Sequence, residues 1–307
     1  MSQLDKIRAE VLKVEEMGMQ GEGETVLVMG AGGAGKSSLI CYLMGAELQW
    51  EKAKLKHHLH NKSTGQFPRI ANGGRSTDSL PMAFGKYIDS AGFMDEKELE
   101  KEVKTSCILA KLLGKGSRVK VVVMLEFASL ATVRGKSIAD VANRLLDLFP
   151  GDWEGMMDSV VVVVSKANAA EVELEEVINE ISSIVGSNDN ISTGAKAVMM
   201  RALESNRVAL FPLPNGISTE AIGDISSKID SVAECTLGQD ANISLGEGAK
   251  WKLNKLVEGV EEAAGDHVRE MRRFLESKYK QKLEEERAME EVLGELRQAK
   301  QILEAEG

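Results

Sequence analysis

A glycine-rich run that directly follows an apolar segment constrains this 307-residue chain more than any other feature. The run is Gly30-Ala31-Gly32-Gly33-Ala34-Gly35-Lys36-Ser37, with the spacing G-x-x-x-x-G-K-S. Glycines at these positions let successive backbone N–H groups wrap a phosphate, and the positive end of a following helix points at the same group. The pattern requires a strand before it and a helix after it, and residues 25–29 and 36–44 have those characters. The run therefore predicts a phosphate loop for a nucleoside triphosphate.

Each residue of this loop has an expected role. Lys36 neutralises charge on the β- and γ-phosphates, and the Ser37 hydroxyl takes one position on Mg²⁺. The remaining phosphate contacts come from the backbone of the loop and of the first turn of the helix. The predicted nucleotide-binding residues here are Gly30, Ala31, Gly32, Gly33, Ala34, Gly35, Lys36, Ser37 and Ser38.

Strands alternate with helices beyond the loop. Apolar runs predict strands at residues 25–29, 86–89, 121–126, 160–164 and 207–211. Helices are predicted at 36–44, 96–113, 137–149, 170–184 and 193–204. The alternation predicts an α/β three-layer sandwich with a mostly parallel sheet, in which sites lie at the carboxyl ends of the strands. Residues 46–80 are polar and basic, and we predict a long loop with little regular structure there.

The same patterns divide the chain into three parts. Residues 1–20 form an N-terminal helix, residues 22–238 form the phosphate-loop domain, and residues 246–307 form an amphipathic helical extension. The extension is dense in Glu, Lys, Arg and Leu with three- and four-residue apolar spacing. Two interpretations stay open, a helix that packs back on the domain and a coiled coil that pairs chains.

Two further elements suit a Mg²⁺-triphosphate site. Asp89-Ser90-Ala91-Gly92 ends the next predicted strand and fits D-x-x-G. Asp89 is expected to bind the metal through water, and the Gly92 N–H to meet the γ-phosphate. In the polar segment before it, Thr77 is the candidate for supplying a hydroxyl to Mg²⁺ and a carbonyl to the attacking water. Ser76 and Thr64 are its rivals.

These elements resemble, in their order, the motifs of phosphate-loop GTPases of the translation-factor (TRAFAC) class. The resemblance covers about residues 22–235 and continues in Val164-Ser165-Lys166-Ala167-Asn168, after a later strand. The apolar Phe93 after Gly92 is similar to the residue found in the septin, chloroplast-import and immunity-associated groups and in the dynamin and interferon-inducible groups. The resemblance implies GTP as ligand and substrate, Mg²⁺ as cofactor, and assembly into homo-oligomers through the GTPase domain or the C-terminal helices.

The base site departs from the family pattern [NT]-K-x-D. Lys166 matches, and its stem is expected to stack on the base, but Asn168 occupies the aspartate position. A carboxylate accepts from both N–H donors of guanine, whereas an amide presents one acceptor and one donor group. The resemblance therefore implies GTP, while the chemistry of Asn168 weakens that preference. Asn215, after the strand ending at Phe211, is a further candidate for base contact.

Fewer residues are candidates for catalysing hydrolysis than for binding the nucleotide. No glutamine follows Gly92, so we expect slow turnover until a second molecule contributes. Arg134, after the predicted strand ending at Glu126, is the candidate for acting at the phosphates or across a dimer; a surface arginine is the alternative. The predicted catalytic residues are Lys36, Thr77, Gly92 and Arg134, and the predicted metal ligands are Ser37, Thr77 and Asp89.

Composition excludes several other functions. A net charge of −10 disfavours nucleic-acid partners, and three scattered cysteines suit a reducing compartment. The apolar runs are too short to span a bilayer, so we expect a soluble, cytoplasmic protein. His57, His58 and His60 lack a fourth ligand for zinc, and with the lysines of residues 52–62 they form a basic segment. A membrane-surface role for the basic groups has no support beyond their charge.

We therefore predict a GTP-binding switch or assembly protein with Mg²⁺-dependent hydrolysis. Asn168 and Phe93 suggest a second interpretation, a nucleotide-binding scaffold that hydrolyses little. A third, an ATPase or kinase of another phosphate-loop branch, expects an apolar strand ending in Asp-Glu. The strand ending Met124-Leu125-Glu126 lacks that aspartate.

Overall fold

The computed structural model describes most of the N-terminal four-fifths of the chain. The described residues are 24–52, 57–70, 80–90, 105, 108–109, 112–113, 118–131, 135–149, 153–168, 172–212, 217–236, 273 and 276–277. The chain divides into two compact units, Met1–Ala249 and Lys250–Gly307. The predicted N-terminal helix, and all of the predicted extension except residues 273 and 276–277, lie outside the described residues, so those parts stay predictions.

A seven-stranded, mostly parallel sheet forms the centre of the first unit, which is the predicted α/β fold. The described strands are β1 (Glu24–Gly30), β2 (Leu48–Lys52), β3 (His57–Asn61), β4 (Met82–Phe84), β5 (Tyr87–Asp89), β6 (Arg118–Glu126), β7 (Val160–Ala167), β8 (Val208–Pro212) and β9 (Cys235–Thr236). The strand order in the sheet is β4-β5-β1-β6-β7-β8, with β9 beside β6. Strands β5, β1, β6, β7 and β8 run parallel, whereas β4 and β9 are antiparallel to their neighbours.

Helices cover both faces of this sheet. Those described with full bounds are α1 (Lys36–Leu43), α2 (Phe127–Ala131), α3 (Lys136–Leu148), α4 (Trp153–Met156), α5 (Leu174–Ser187), α6 (Thr193–Glu204) and α7 (Thr219–Ser231). Residues 105, 108–109 and 112–113 are also helical and buried, as the predicted helix 96–113 requires. The rest of that helix lies outside the described residues.

Alternate residues of the buried strands make two separate apolar cores. Val26, Val28, Val122 and Met124 pack on the face that carries α1 and α7. The residues between them face the helical residues at 105–113 together with α3, α5 and α6. Because both faces are covered, the strands are continuous apolar runs, as parallel sheets require.

The prediction of a long loop at residues 46–80 was wrong over its first half. Strands β2 and β3 pair antiparallel there as a separate hairpin, with Trp50 opposite Leu59. Leu59 is buried, so it provides an apolar anchor for the hairpin. The alternation of apolar and polar residues at 48–51 was the strand signal that the basic composition concealed.

The other strands and helices that were predicted within the described residues are confirmed, with shifted ends. The central strand begins at Arg118 rather than at residue 121, and β7 extends to Ala167. The predicted helix 170–184 runs Leu174–Ser187, and the helix at 193–204 is found as predicted. Helices α2, α4 and α7 and strands β4 and β9 were not predicted. Among the described residues, no helix is both long enough and apolar enough to cross a bilayer.

Candidate functional site

The predicted site residues that are described gather at one edge of the sheet. Parallel pairing aligns Gly30 at the end of β1 with Met124 of β6, and Val28 of β1 with Asp89 at the end of β5. Glu126 at the end of β6 pairs with Ser165 of β7. These are carboxyl ends of neighbouring parallel strands, the position at which α/β sheets bind their ligands.

Two glycines show why the loop after β1 needs its sequence. Gly30 has φ 155°, and a Cβ added there lies 2.5 Å from the backbone oxygen of Met124, so no side chain fits against β6. Gly35 precedes helix α1 with φ 92°, in the left-handed region that residues with a Cβ rarely adopt. The loop is therefore shaped by backbone requirements that the sequence pattern already encodes.

Lys36 is folded back onto this loop. Its Nζ donates to the backbone oxygens of Gly30 at 3.1 Å and Ala31 at 3.0 Å, and the residue is 6% exposed. Burial lowers the pKa of Lys36 to about 8 from its ordinary value of 10.5, although the Asp89 carboxylate raises it in part. A cation with so little solvation is a strong partner for an anion that enters the loop.

Ser37 and Asp89 meet although 52 positions separate them in sequence. The Ser37 Oγ donates to Asp89 Oδ2 at 2.6 Å. The contact arises because β5 is the direct neighbour of β1, which brings the end of β5 beside the first turn of α1. A hydroxyl and a carboxylate are hard oxygen donors of the type that Mg²⁺ prefers. The donor set therefore fits the metal that the sequence predicts.

Apolar side chains pack against the phosphate loop and against helix α1. Ala34 is fully buried, and the Phe211 ring of β8 lies 3.7 Å from the position of a Cβ on Gly35. Tyr42 of α1 packs edge-on against Phe211, with ring centroids 5.9 Å apart. Cys41 is buried, which raises the pKa of its thiol to about 12, and its Sγ donates to the backbone oxygen of Pro68. Phe211 therefore supports helix α1 both at its beginning, beside Gly35, and at Tyr42 near its end.

The end of β7 carries the predicted base residues in an unusual backbone. Lys166 has φ 61°, and the register of β7 with β8 shifts between Ser165 and Ala167. A side chain in this conformation costs about 1–2 kcal/mol. Such strain collects at functional sites, where it redirects a side chain. Asn168 follows β7 and is exposed.

Glu126 is a member of this region that the sequence analysis did not select as a site residue. Its Oε1 accepts a hydrogen bond from Lys166 Nζ at 2.8 Å. The signal was present, since a lone acidic residue ends an otherwise apolar buried strand.

The remaining predicted site residues are not brought together in the described part of the chain. Thr77, Gly92, Arg134 and Asn215, and the rival Ser76, lie outside the described residues. The other rival, Thr64, is an exposed residue after β3. Ser38 lies in the first turn of α1, directly after Ser37.

Comparisons with known proteins add a coarse likeness. No protein-family model and no curated protein matches the sequence. A putative nucleolar GTP-binding protein 1 from Plasmodium falciparum matches 80% of this chain and 95% of its own, at 11% identity and a TM-score of 0.26. A bacterial dynamin of an oligomerised pair, described in the sensing and tethering of membranes, matches 98% of this chain at 12% identity and a TM-score of 0.36. The chain spans about half of that protein, 51%. Matches at these identities and TM-scores establish no family for the chain.

Proposed function

We propose that this chain binds a nucleoside triphosphate with Mg²⁺, that GTP is its natural ligand, and that it hydrolyses GTP slowly or on assembly as a regulatory or assembly switch. The contact between Ser37 Oγ and Asp89 Oδ2 at 2.6 Å is the observation that carries the proposal. It joins two of the three predicted metal ligands beside a phosphate loop whose lysine contacts the loop backbone.

Lys36 binds and orients the phosphates in this scheme. Its Nζ donates to the backbone oxygens of Gly30 and Ala31, and an entering phosphate would compete with these two neutral acceptors. An ionised phosphate is the stronger acceptor. Lys36 then neutralises charge that develops on the transferred group, and the backbone of residues 30–38 fixes that group in position.

Ser37 and Asp89 would hold the metal. Mg²⁺, when bound, neutralises phosphate charge and favours in-line attack by water. Ser37 would hold the ion through its hydroxyl, and Asp89 would hold it through a water. Thr77 adds a hydroxyl and a carbonyl for the attacking water, and Gly92 adds a backbone N–H to the γ-phosphate. The roles of Thr77 and Gly92 come from the sequence resemblance.

The residues at the base end favour GTP, but they make the preference over ATP a modest one. Lys166 lies at the end of β7, two strands from the phosphate loop, and its stem would cover one face of the base. Asn168 and Asn215 would meet the edge of the base. Because an amide at 168 satisfies one fewer guanine donor than a carboxylate, we expect a modest preference for GTP over ATP.

Slow turnover follows from Phe93, since no glutamine follows Gly92 to orient water. Arg134 would act at the phosphates, within one chain or across a homo-oligomer formed by the domain or by the C-terminal helices. Turnover per molecule would then rise with protein concentration. Arg134→Ala with unchanged turnover at high concentration would remove this part of the proposal.

Titration of the purified full-length chain with GTP, XTP and ATP tests the proposal, with phosphate release measured over a range of protein concentrations. We expect the tightest binding for GTP and turnover per molecule that rises with concentration. Tighter binding of ATP would remove the assignment to GTP. Binding without turnover at any concentration would favour the nucleotide-binding scaffold.

A further inference from the structure

The strand order places Glu126 between the phosphate loop and Lys166, which lies at the base end of the proposed site. Strands β5 and β1 carry Asp89 and the phosphate loop, and β7 carries Lys166. Strand β6 lies between β1 and β7, so Glu126 stands one strand from each. Adjacent strands are about 4.8 Å apart, which places Glu126 within the length of a nucleotide that runs from the loop to Lys166.

Glu126 also lies on the correct face of the sheet. Val122 and Met124 of β6 point to the face that carries α1, and Glu126 continues that alternation. Met124 approaches the position of a Cβ on Gly35, so this face is the one under the phosphate loop. The carboxylate therefore emerges on the same side as the proposed nucleotide.

The backbone of β7 brings Lys166 to Glu126. The strand partner of Glu126 is Ser165, and in a regular strand the next side chain would point to the opposite face. The left-handed φ of 61° at Lys166 and the register shift beside it remove this restriction, and Nζ reaches Oε1 at 2.8 Å. Strain is thus located at the residue that forms the pair.

The pair remains accessible to a ligand. The side chains of Lys166 and Glu126 are 41% and 32% exposed. Lys166 Nζ is bonded to Oε1, and a carboxylate has about four acceptor positions on its two oxygens. The guanine edge presents N1–H and N2–H₂ as donors, and Asn168 offers them a single acceptor. The Glu126 carboxylate therefore offers the acceptors that are missing because Asn168 replaces the aspartate of the motif.

We propose that Glu126 is the specificity-determining carboxylate of the base site, positioned by Lys166, and that it accepts the guanine donors in place of the aspartate absent at position 168. The inference rests on the proposed function, because it assumes a nucleotide with its phosphates at residues 30–37. It extends that function to a residue outside the motif.

Affinities of Mg·GTP, Mg·ITP and Mg·ATP for the full-length chain and its Glu126→Gln, Asn168→Asp and doubly substituted variants test this inference. ITP keeps N1–H and lacks the N2 amino group. Glu180→Gln, an exposed glutamate in α5, is the matched control. The readout is the GTP-to-ATP affinity ratio within one variant, so partial loss of folded protein does not change it.

We expect Glu126→Gln to lower the GTP-to-ATP ratio by about tenfold, the effect of one unsatisfied donor. ITP should lose less affinity than GTP. Asn168→Asp should raise the ratio and reduce the effect of Glu126→Gln, since both carboxylates serve the same donors. An equal change for all three nucleotides in Glu126→Gln, or additive effects of the two substitutions, would overturn the inference and leave the phosphate site standing. Absence of binding by the unsubstituted chain would instead overturn the proposed function and the inference with it.

Discussion

The phosphate end and the base end of the proposed site are built in different ways. At the phosphate end, the backbone of residues 30–35 sets the shape, Lys36 is buried, and Ser37 meets Asp89 across neighbouring strands. At the base end, the exposed Lys166 and the partly exposed Glu126 pair at 2.8 Å beside a strained backbone. In the proposed function, the first would bind the phosphates that all nucleoside triphosphates share. The second would distinguish one nucleotide from another.

From this difference we expect the two ends to tolerate substitutions differently. A phosphate loop depends on glycine conformations and one lysine, so few sequences satisfy it. A base site needs acceptors and donors near the base edge, and these can come from different strands. Divergence at Asn168 is therefore compatible with function if another residue supplies the lost acceptor, whereas divergence at Lys36 is not.

The largest expected effect is at the phosphate end. Lys36→Ala should weaken binding of every triphosphate by about a hundredfold, because a charge-assisted contact in a buried setting is lost. Calorimetry with GTP and ATP measures it, and Lys196→Ala in α6 is the control. The Lys36→Ala protein should stay folded, since the substitution removes a cation that burial disfavours. Retained binding would show that the phosphates lie elsewhere.

Two glycines of the same loop allow a matched test of its shape. Gly30→Ala should lower the free energy of unfolding by roughly 1–3 kcal/mol, because the added Cβ meets the Met124 backbone oxygen at 2.5 Å. Gly32→Ala should leave stability nearly unchanged, because no atom lies within 4 Å of its Cβ position. Urea unfolding of both variants measures this. Equal stability would mean that the loop does not require glycine at position 30.

The buried lysine predicts a pH dependence. Its pKa near 8 means that Lys36 is charged below that pH, and bound phosphate would keep it charged above. Affinity should therefore be flat below about pH 8 and fall above it, approaching tenfold per pH unit. The arginine of Lys36→Arg stays protonated over this pH range, so any nucleotide binding that the variant retains should not weaken above pH 8. A flat profile in the unsubstituted chain would contradict the role of Lys36.

The smallest expected effect on affinity is that of a substitution of Lys166 at the base end. Lys166→Gly relieves the left-handed backbone but removes the ion pair with Glu126, so stability should hold or rise by up to about 1 kcal/mol. Nucleotide affinity should fall by about threefold as the side-chain contact with the base is lost. Asn206→Gly, at φ 55° after helix α6, is the control and should leave affinity unchanged. Unchanged affinity in Lys166→Gly would remove that residue from the base site.

Much of the fold and of the phosphate end was predictable from sequence, for a physical reason. Continuous apolar runs such as residues 121–125 and 160–164 specify strands buried on both faces. The loop spacing specifies backbone conformation, which is local. Asp89 was predictable because D-x-x-G follows the loop at the end of the next predicted strand.

The parts that sequence did not reveal depend on contacts between distant segments. The hairpin of β2 and β3 was concealed by its basic composition, and its anchor Leu59 is identified only by its burial. Glu126 pairs with Lys166 across two strands 40 positions apart, and the left-handed φ of Lys166 has no local sequence signal. Pairings of this kind follow from strand order and register.

The metal dependence of triphosphate binding tests the central claim most directly. Binding of a non-hydrolysable GTP analogue should be measured with Mg²⁺ and with a chelator, in the unsubstituted chain and in Asp89→Asn. We predict tight binding with Mg²⁺, weaker binding without it, and a much smaller difference in Asp89→Asn, because Ser37 and Asp89 would hold the metal. Equal binding with and without Mg²⁺, or no binding at all, would contradict it.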